Sequence, residues 1–280
     1  MSDRGLPRLH TTTVGEDGNP VVFLHGLFGQ GRNWTTIARA LAEDHHVLLP
    51  DLPDHGRSEW SDRLGYPAMA EAVAATLEAD RPGTAWSVVG HSMGGKVAMA
   101  LALRRPDLVA RLVVVDIAPV VYDGISNFGD YVRAMRAVPL DRLQQRGEAE
   151  AVLEPLVPDP VIRGFLLQNL RRESGPNGVR WRWQHNLALL GDRLTDLWQW
   201  PDALAHAAPY PGPVLWVAGA ESDYVRPAYA EAMRALFPAV RTVTVKHAGH
   251  WVHSEQPAVF TGIVRQFLET PASPTAASAT

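Results

Sequence analysis

The chain has 280 residues, a hydrophobic content of 46% that is ample for a sizeable core, and a formal net charge of −4, which leaves no electrostatic footprint for nucleic acid or an anionic membrane. It contains no cysteine, which excludes disulfides, thiolate catalysis and cysteine-based zinc sites, and Lys96 and Lys246 are its only lysines, so Schiff-base chemistry is confined to those two positions. No apolar run approaches the roughly 20 residues that span a bilayer, and residues 1–14 lack the apolar segment of a signal peptide; the expectation is a cytoplasmic protein acting on a small molecule, with no membrane insertion and no nucleic-acid partner.

In chain order, residues 1–7 read as a flexible arm and 9–14 as an edge strand, closed by the turn cluster Gly15-Glu16-Asp17-Gly18-Asn19-Pro20. The continuous apolar run 20–24 is the signature of a strand covered on both faces, and it ends in His25-Gly26-Leu27-Phe28-Gly29. A glycine-rich loop at the carboxyl edge of a central strand lies where ligands bind in open α/β sheets. The N–H of Leu27, next to Gly26, is a natural donor to an oxyanion. Trp34, Ile37, Ala38 and Leu41 follow at helical spacing, and 46–50 forms the next buried strand. In the loop after it, His55 is either a second candidate base or a ring that satisfies backbone groups and holds the turn; the second role is favoured. An alanine-rich helix over 69–80 leads to a strand at 86–89.

That strand passes at once into Gly90-His91-Ser92-Met93-Gly94-Gly95 and an Ala/Leu-rich helix. Strand, Gly-x-Ser-x-Gly turn and helix form a nucleophile elbow: glycines flank the serine because the turn brings neighbouring backbone too close for side chains. Ser92 then stands at a helix N-terminus, where the dipole and free N–H groups favour developing negative charge, and the Met93 N–H becomes a second oxyanion donor. A phosphate-binding reading fails, since Gly95-Lys96 is followed by Val97 where a P-loop needs Ser or Thr.

Residues 112–115 give another buried strand, ending at Asp116-Ile117-Ala118-Pro119. Strands separated by helices imply crossover connections and a parallel sheet, hence a doubly wound α/β core over 8–119 and 212–269. Between 120 and 211 no β-branched run appears, and short helices are predicted at 131–138, 148–156 and 161–172; a segment of this length is a helical cap inserted before the penultimate strand. Trp181, Trp183, Trp198 and Trp200 fall in it, mostly as its own core, with one or two expected to line an acyl pocket. The sheet resumes at 213–217 and ends in Gly219-Ala220-Glu221-Ser222-Asp223; a helix at 225–236, a last strand at 241–246 and a closing helix at 256–268 follow, and 270–280 reads as a flexible tail.

A serine hydroxyl needs a base near neutral pKa and a carboxylate to orient it. His250 is the candidate base, because the glycine-preceded loop after the last strand lets its ring reach back over the sheet edge. His247 and His253 share that loop, but without a His-Glu-x-x-His arrangement or an acidic cluster they do not read as a metal site. The acid is Asp116 or Asp223, since each follows a strand at the same edge.

Residues 20–268, with His25-Gly26, Gly90-x-Ser92-x-Gly94 and Ala248-Gly249-His250 in that order, resemble the α/β-hydrolase superfamily. Val115-Asp116-Ile117-Ala118-Pro119 and Trp181-Arg182-Trp183 followed by Asn186-Leu187 resemble its YbfF-type esterase branch. The resemblance implies an α/β-hydrolase fold, Asp116 as the acid, no metal or organic cofactor, and carboxylic esters or thioesters as substrates. Asp223 departs from the commoner superfamily pattern by one place, Ser222 standing three residues after Gly219. Alternatives on the same residues are a cofactor-free perhydrolase or haloperoxidase-like enzyme and a non-catalytic ligand-binding relative. Dehalogenase and epoxide-hydrolase chemistry is disfavoured because the elbow residue is a serine.

Overall fold

The computed structural model describes residues 5–122, 127–175 and 178–270; the predicted tail after Thr270 and the first four residues lie outside them. The chain begins with the strands β1 (Thr11–Val14) and β2 (Asn19–Leu24), the helix α1 (Thr35–Leu41) and β3 (His45–Pro50). It continues through α2 (Tyr66–Asp80), β4 (Trp86–His91), α3 (Met93–Arg104) and β5 (Val109–Val115). It then leaves the sheet for α4 (Phe128–Ala137), α5 (Arg146–Leu153), α6 (Pro160–Leu167), a hairpin of β6 (Leu170–Gly175) and β7 (Gly178–Trp183), α7 (Leu187–Asp192) and α8 (Asp202–Ala205). It returns for β8 (Val214–Gly219), α9 (Ala230–Leu236), β9 (Val240–Val245), α10 (Val252–Glu255) and α11 (Pro257–Glu269).

Seven strands form one sheet in the order β1-β3-β2-β4-β5-β8-β9. Only β1 is antiparallel to its neighbour, so the predicted edge strand and parallel core are both found. The apolar runs alternate between two cores. Val22, Leu24, Val88 and Val114 pack under α2 and α3, while Val21, Phe23, Val89, Val113 and Val115 pack with α1 and α11 on the other face. Burial on both faces is why these strands read as continuous rather than alternating hydrophobic stretches. Helix α3 is buried from Met93 to Ala102, which its small residues permit by letting it sit closely against the sheet. The elbow strand β4 occupies the middle of the sheet, and its carboxyl end faces the segment between β5 and β8.

One stretch of that segment differs from expectation. Residues 161–172, predicted as a single helix, are α6 followed by the start of β6, which pairs antiparallel with β7 in the register Leu170↔Trp183 and Arg172↔Trp181. The segment therefore carries a two-stranded sheet as well as helices. Trp181 and Trp183 are buried while Arg180 and Arg182 are exposed, a period of two that marks a strand without any β-branched run. No helix among the described residues is long and apolar enough to cross a membrane.

Candidate active site

The elbow has the local geometry its glycines require. Ser92 adopts φ 53° and ψ −120°, a conformation that costs energy for any residue with a side chain and persists only where the surroundings enforce it. Those surroundings are tight: a Cβ on Gly90 would lie 2.2 Å from the Gly94 carbonyl, and one on Gly94 would lie 2.4 Å from the Leu24 carbonyl. The Ser92 N–H donates to the Val115 carbonyl at 3.0 Å, which ties the turn to β5.

The Ser92 hydroxyl lies 2.9 Å from His250 Nε2, and His250 Nδ1 lies 2.8 Å from Asp116 Oδ2. Asp116 is fully buried at the end of β5, with φ 50°. Its Oδ1 accepts the Gly219 N–H at 2.9 Å, and its Oδ2 also accepts the Ser222 hydroxyl in a very short contact. A carboxylate so placed accepts a hydrogen bond from the Nδ1–H of the imidazole and so fixes the tautomer in which Nε2 is an acceptor toward the serine hydroxyl. Asp223, the alternative acid, is turned into solvent, its carboxylate 3.6 Å from Arg226. The three dispersed residues Ser92, His250 and Asp116 are thus brought together, and Asp223 is not.

The Leu27 and Met93 N–H groups, which follow Gly26 and Ser92 in the chain, take no acceptor among the described residues. Leu27 also lines the cavity in front of Ser92, which has a free volume of about 30 Å³. The aromatic walls of that cavity are Trp34, Phe128, Phe165 and Trp251. Trp181, Trp183 and Trp200 are buried in the segment's own core with Trp198 packed against it, as expected for most of them, but none lines this cavity, where one or two were expected. Long side chains of α4 and α6 reach the cavity where the tryptophans do not.

Several groups around His250 were not singled out by sequence reasoning. Tyr224 stacks on its ring at 4.0 Å, and His91 donates from Nε2 to its carbonyl oxygen at 2.8 Å. His253 packs edge-on to His91 at 4.6 Å and stacks on Trp34 at 4.2 Å. Burial, and then the neighbouring His253 and His250, hold His91 well below the usual histidine range, so it is a neutral donor. Ser222 occupies the position, three after Gly219, at which the commoner pattern has its acid, and this was the one signal for it in the sequence. His55 donates from Nδ1 to the Pro53 carbonyl at 2.9 Å and holds its turn. His247 is exposed beside Glu221 while the ring of His253 packs on Trp34 and His91, so the two do not converge, and no group of three or more histidine, cysteine or acidic side chains suited to a metal occurs among the described residues.

Comparison with known proteins agrees with this architecture. Residues 19–257 match the α/β-hydrolase fold family. Mouse sn-1-specific diacylglycerol lipase ABHD11 is 40% identical over 273 residues, covering 95% of this chain and 86% of the lipase. Esterase YbfF of Escherichia coli is 33% identical over 261 residues, 93% of this chain and 97% of the esterase. A solved marine microorganism esterase superposes with a TM-score of 0.88 at 32% identity, covering 93% of this chain and 99% of that one. The chain belongs to the α/β-hydrolase fold family, among the ester hydrolases that include YbfF.

Proposed function

We propose that this ester hydrolase cleaves carboxylic esters or thioesters through an acyl-enzyme on Ser92, with His250 as general base and Asp116 as the orienting acid. The observation that carries the reading is the unbroken run of contacts Asp116 Oδ2, His250 Nδ1, His250 Nε2 and Ser92 Oγ at 2.8 and 2.9 Å. Ser92 Oγ attacks the acyl carbonyl while His250 Nε2 takes its proton, and Asp116 stabilises the imidazolium that forms. The Leu27 and Met93 N–H groups hold the tetrahedral oxyanion; one such donor is worth about 3–4 kcal/mol in comparable sites. The imidazolium then protonates the departing alkoxide or thiolate, and water, activated by the same base, releases the acid and restores the serine.

Support for ester substrates comes from the relatives, one named a diacylglycerol lipase and two named esterases. Trp34, Phe128, Phe165 and Trp251 line the cavity before Oγ, so the apolar part of an ester substrate would meet aromatic walls. Ser92→Ala tests the reading. The variant is expected to fold, to lose p-nitrophenyl ester hydrolysis and to resist a fluorophosphonate probe that labels the parent protein. Undiminished turnover in it refutes the proposal, and a parent that takes no label points to a binding-only protein.

A further inference from the structure

The loop that carries Leu27 is held by side chains from two distant parts of the chain, His25 and Asn169. Gly26 to Gly29 is a tight turn closed by the Gly29 N–H donating to the Gly26 carbonyl at 2.9 Å. Phe28 within it has φ 60°, a left-handed conformation that bulky side chains avoid and that something must hold in place. On the core side, His25 donates from Nδ1 to the Gly26 carbonyl at 2.8 Å and accepts the Leu52 N–H on Nε2 at 2.9 Å.

The other hold comes from the segment that roofs the site. Asn169, fully buried between α6 and β6, donates from Nδ2 to the Phe28 carbonyl at 2.8 Å and accepts from Gln30 Nε2 on Oδ1 at 2.6 Å. One primary amide, which both donates and accepts, thereby grips the loop on either side of Gly29. Asn169 is itself fixed: its N–H donates to the Leu166 carbonyl at 3.1 Å, and its carbonyl accepts the Gln184 N–H at 2.8 Å. The preceding residue extends the contact, since Gln168 Oε1 accepts from Asn33 Nδ2 at 2.9 Å and its carbonyl accepts from Arg32 at 3.0 Å.

We infer that Asn169 is a positioning residue for the oxyanion hole: it clamps Phe28 and Gln30 so that the Leu27 N–H stays aimed at the space before the Ser92 hydroxyl. The inference rests on the reading of Leu27 as an oxyanion donor. Its physical basis is that such a donor accelerates the reaction only if it is already oriented when charge develops. The loop's own strain works against that orientation, and the amide of Asn169 opposes the strain. The donor is aligned only while the roofing segment is seated on the core.

The test uses the full chain with Asn169→Ala, with active serines counted by fluorophosphonate titration so that misfolded protein does not contribute. Turnover of p-nitrophenyl butyrate per active serine is expected to fall about 10- to 100-fold, part of the loss that follows complete removal of a donor. KM should stay within about twofold, because the ground-state carbonyl makes little use of the donor. Inhibition by an aryl trifluoromethyl ketone, whose adduct with the serine carries the oxyanion, should weaken by the same factor as kcat. A purely structural role would lower the number of active serines and leave both quantities unchanged in those that remain, and that result overturns the inference. Should Asn169→Ala fail to fold, Gln30→Ala removes one of the two grips and is judged by the same criteria. Wild-type turnover by Ser92→Ala in the same assay overturns instead the catalytic reading beneath it.

Discussion

Acid is expected to destabilise this protein steeply, and the cause is a set of histidines buried as neutral rings. Burial lowers His25 and His55 from 6.5 to about 4, and His185 and His253 from 6.5 to about 3. Between those values and 6.5 the unfolded chain binds more protons than the folded one, so stability falls as pH falls through that window. At pH 5 one such ring costs about 2 kcal/mol relative to pH 7.5, a sizeable part of a typical total stability of about 5–15 kcal/mol. The ring to remove is His185. Neither of its nitrogens has a partner among the described residues, and it packs between Phe28 at 5.1 Å and Trp183 at 5.7 Å, so His185→Phe keeps the packing and deletes the titration. Urea unfolding of both proteins at pH 7.5 and pH 5 measures the effect. His185→Phe should be at least as stable as the parent at pH 7.5 and lose about 2 kcal/mol less on going to pH 5. Equal losses in the two proteins, or a parent whose stability is flat over this range, would refute the reasoning.

The choice of acid is checked by comparing Asp116→Asn with Asp223→Asn in one ester-hydrolysis assay. Asp116→Asn should lower kcat by roughly 10³-fold or more through the wrong imidazole tautomer, whereas the exposed Asp223→Asn should leave it near the parent value. A larger loss from Asp223→Asn reverses the assignment. Lys96 is a second titrating element, placed on α3 with Nζ donating to the carbonyls of Val120 at 3.1 Å, Trp198 at 3.1 Å and Gln199 at 2.8 Å. Burial lowers it from 10.5 to about 7, so the unfolded chain holds the extra proton between those values and this group's contribution to stability rises with pH across them. Lys96→Met leaves three carbonyls without their donor and should lower the thermal midpoint at pH 7, while the rise in midpoint between pH 7 and pH 9 shrinks. An unchanged rise in Lys96→Met shows that another group governs it.

The parts of the fold that were legible are those whose burial leaves a local mark. The strands at 20–24, 46–50 and 86–89 announced themselves because both faces of the sheet are covered, and the elbow because Gly90 and Gly94 stand where neighbouring backbone leaves no room for a Cβ. The β6–β7 hairpin was hidden because its alternation is carried by Trp181 and Trp183 among arginines rather than by branched aliphatic residues. Likewise, nothing local said that Trp34, Phe128, Phe165 and Trp251, rather than the tryptophans of the inserted segment, wall the cavity.

The amino-acid sequence by itself determined the α/β class, the place of the turn that presents Ser92, and the loop from which His250 reaches the sheet edge. It left Asp116 and Asp223 as equals until a family resemblance tipped the balance, and it was silent on Asn169, Tyr224, His185 and the contact of His91 with the His250 backbone. Only the tertiary structure decided these, because the signals in a sequence act over a few neighbouring residues. The contact between Asp116 and His250 joins positions 134 residues apart, and it exists because strand order places the ends of β5, β8 and β9 side by side.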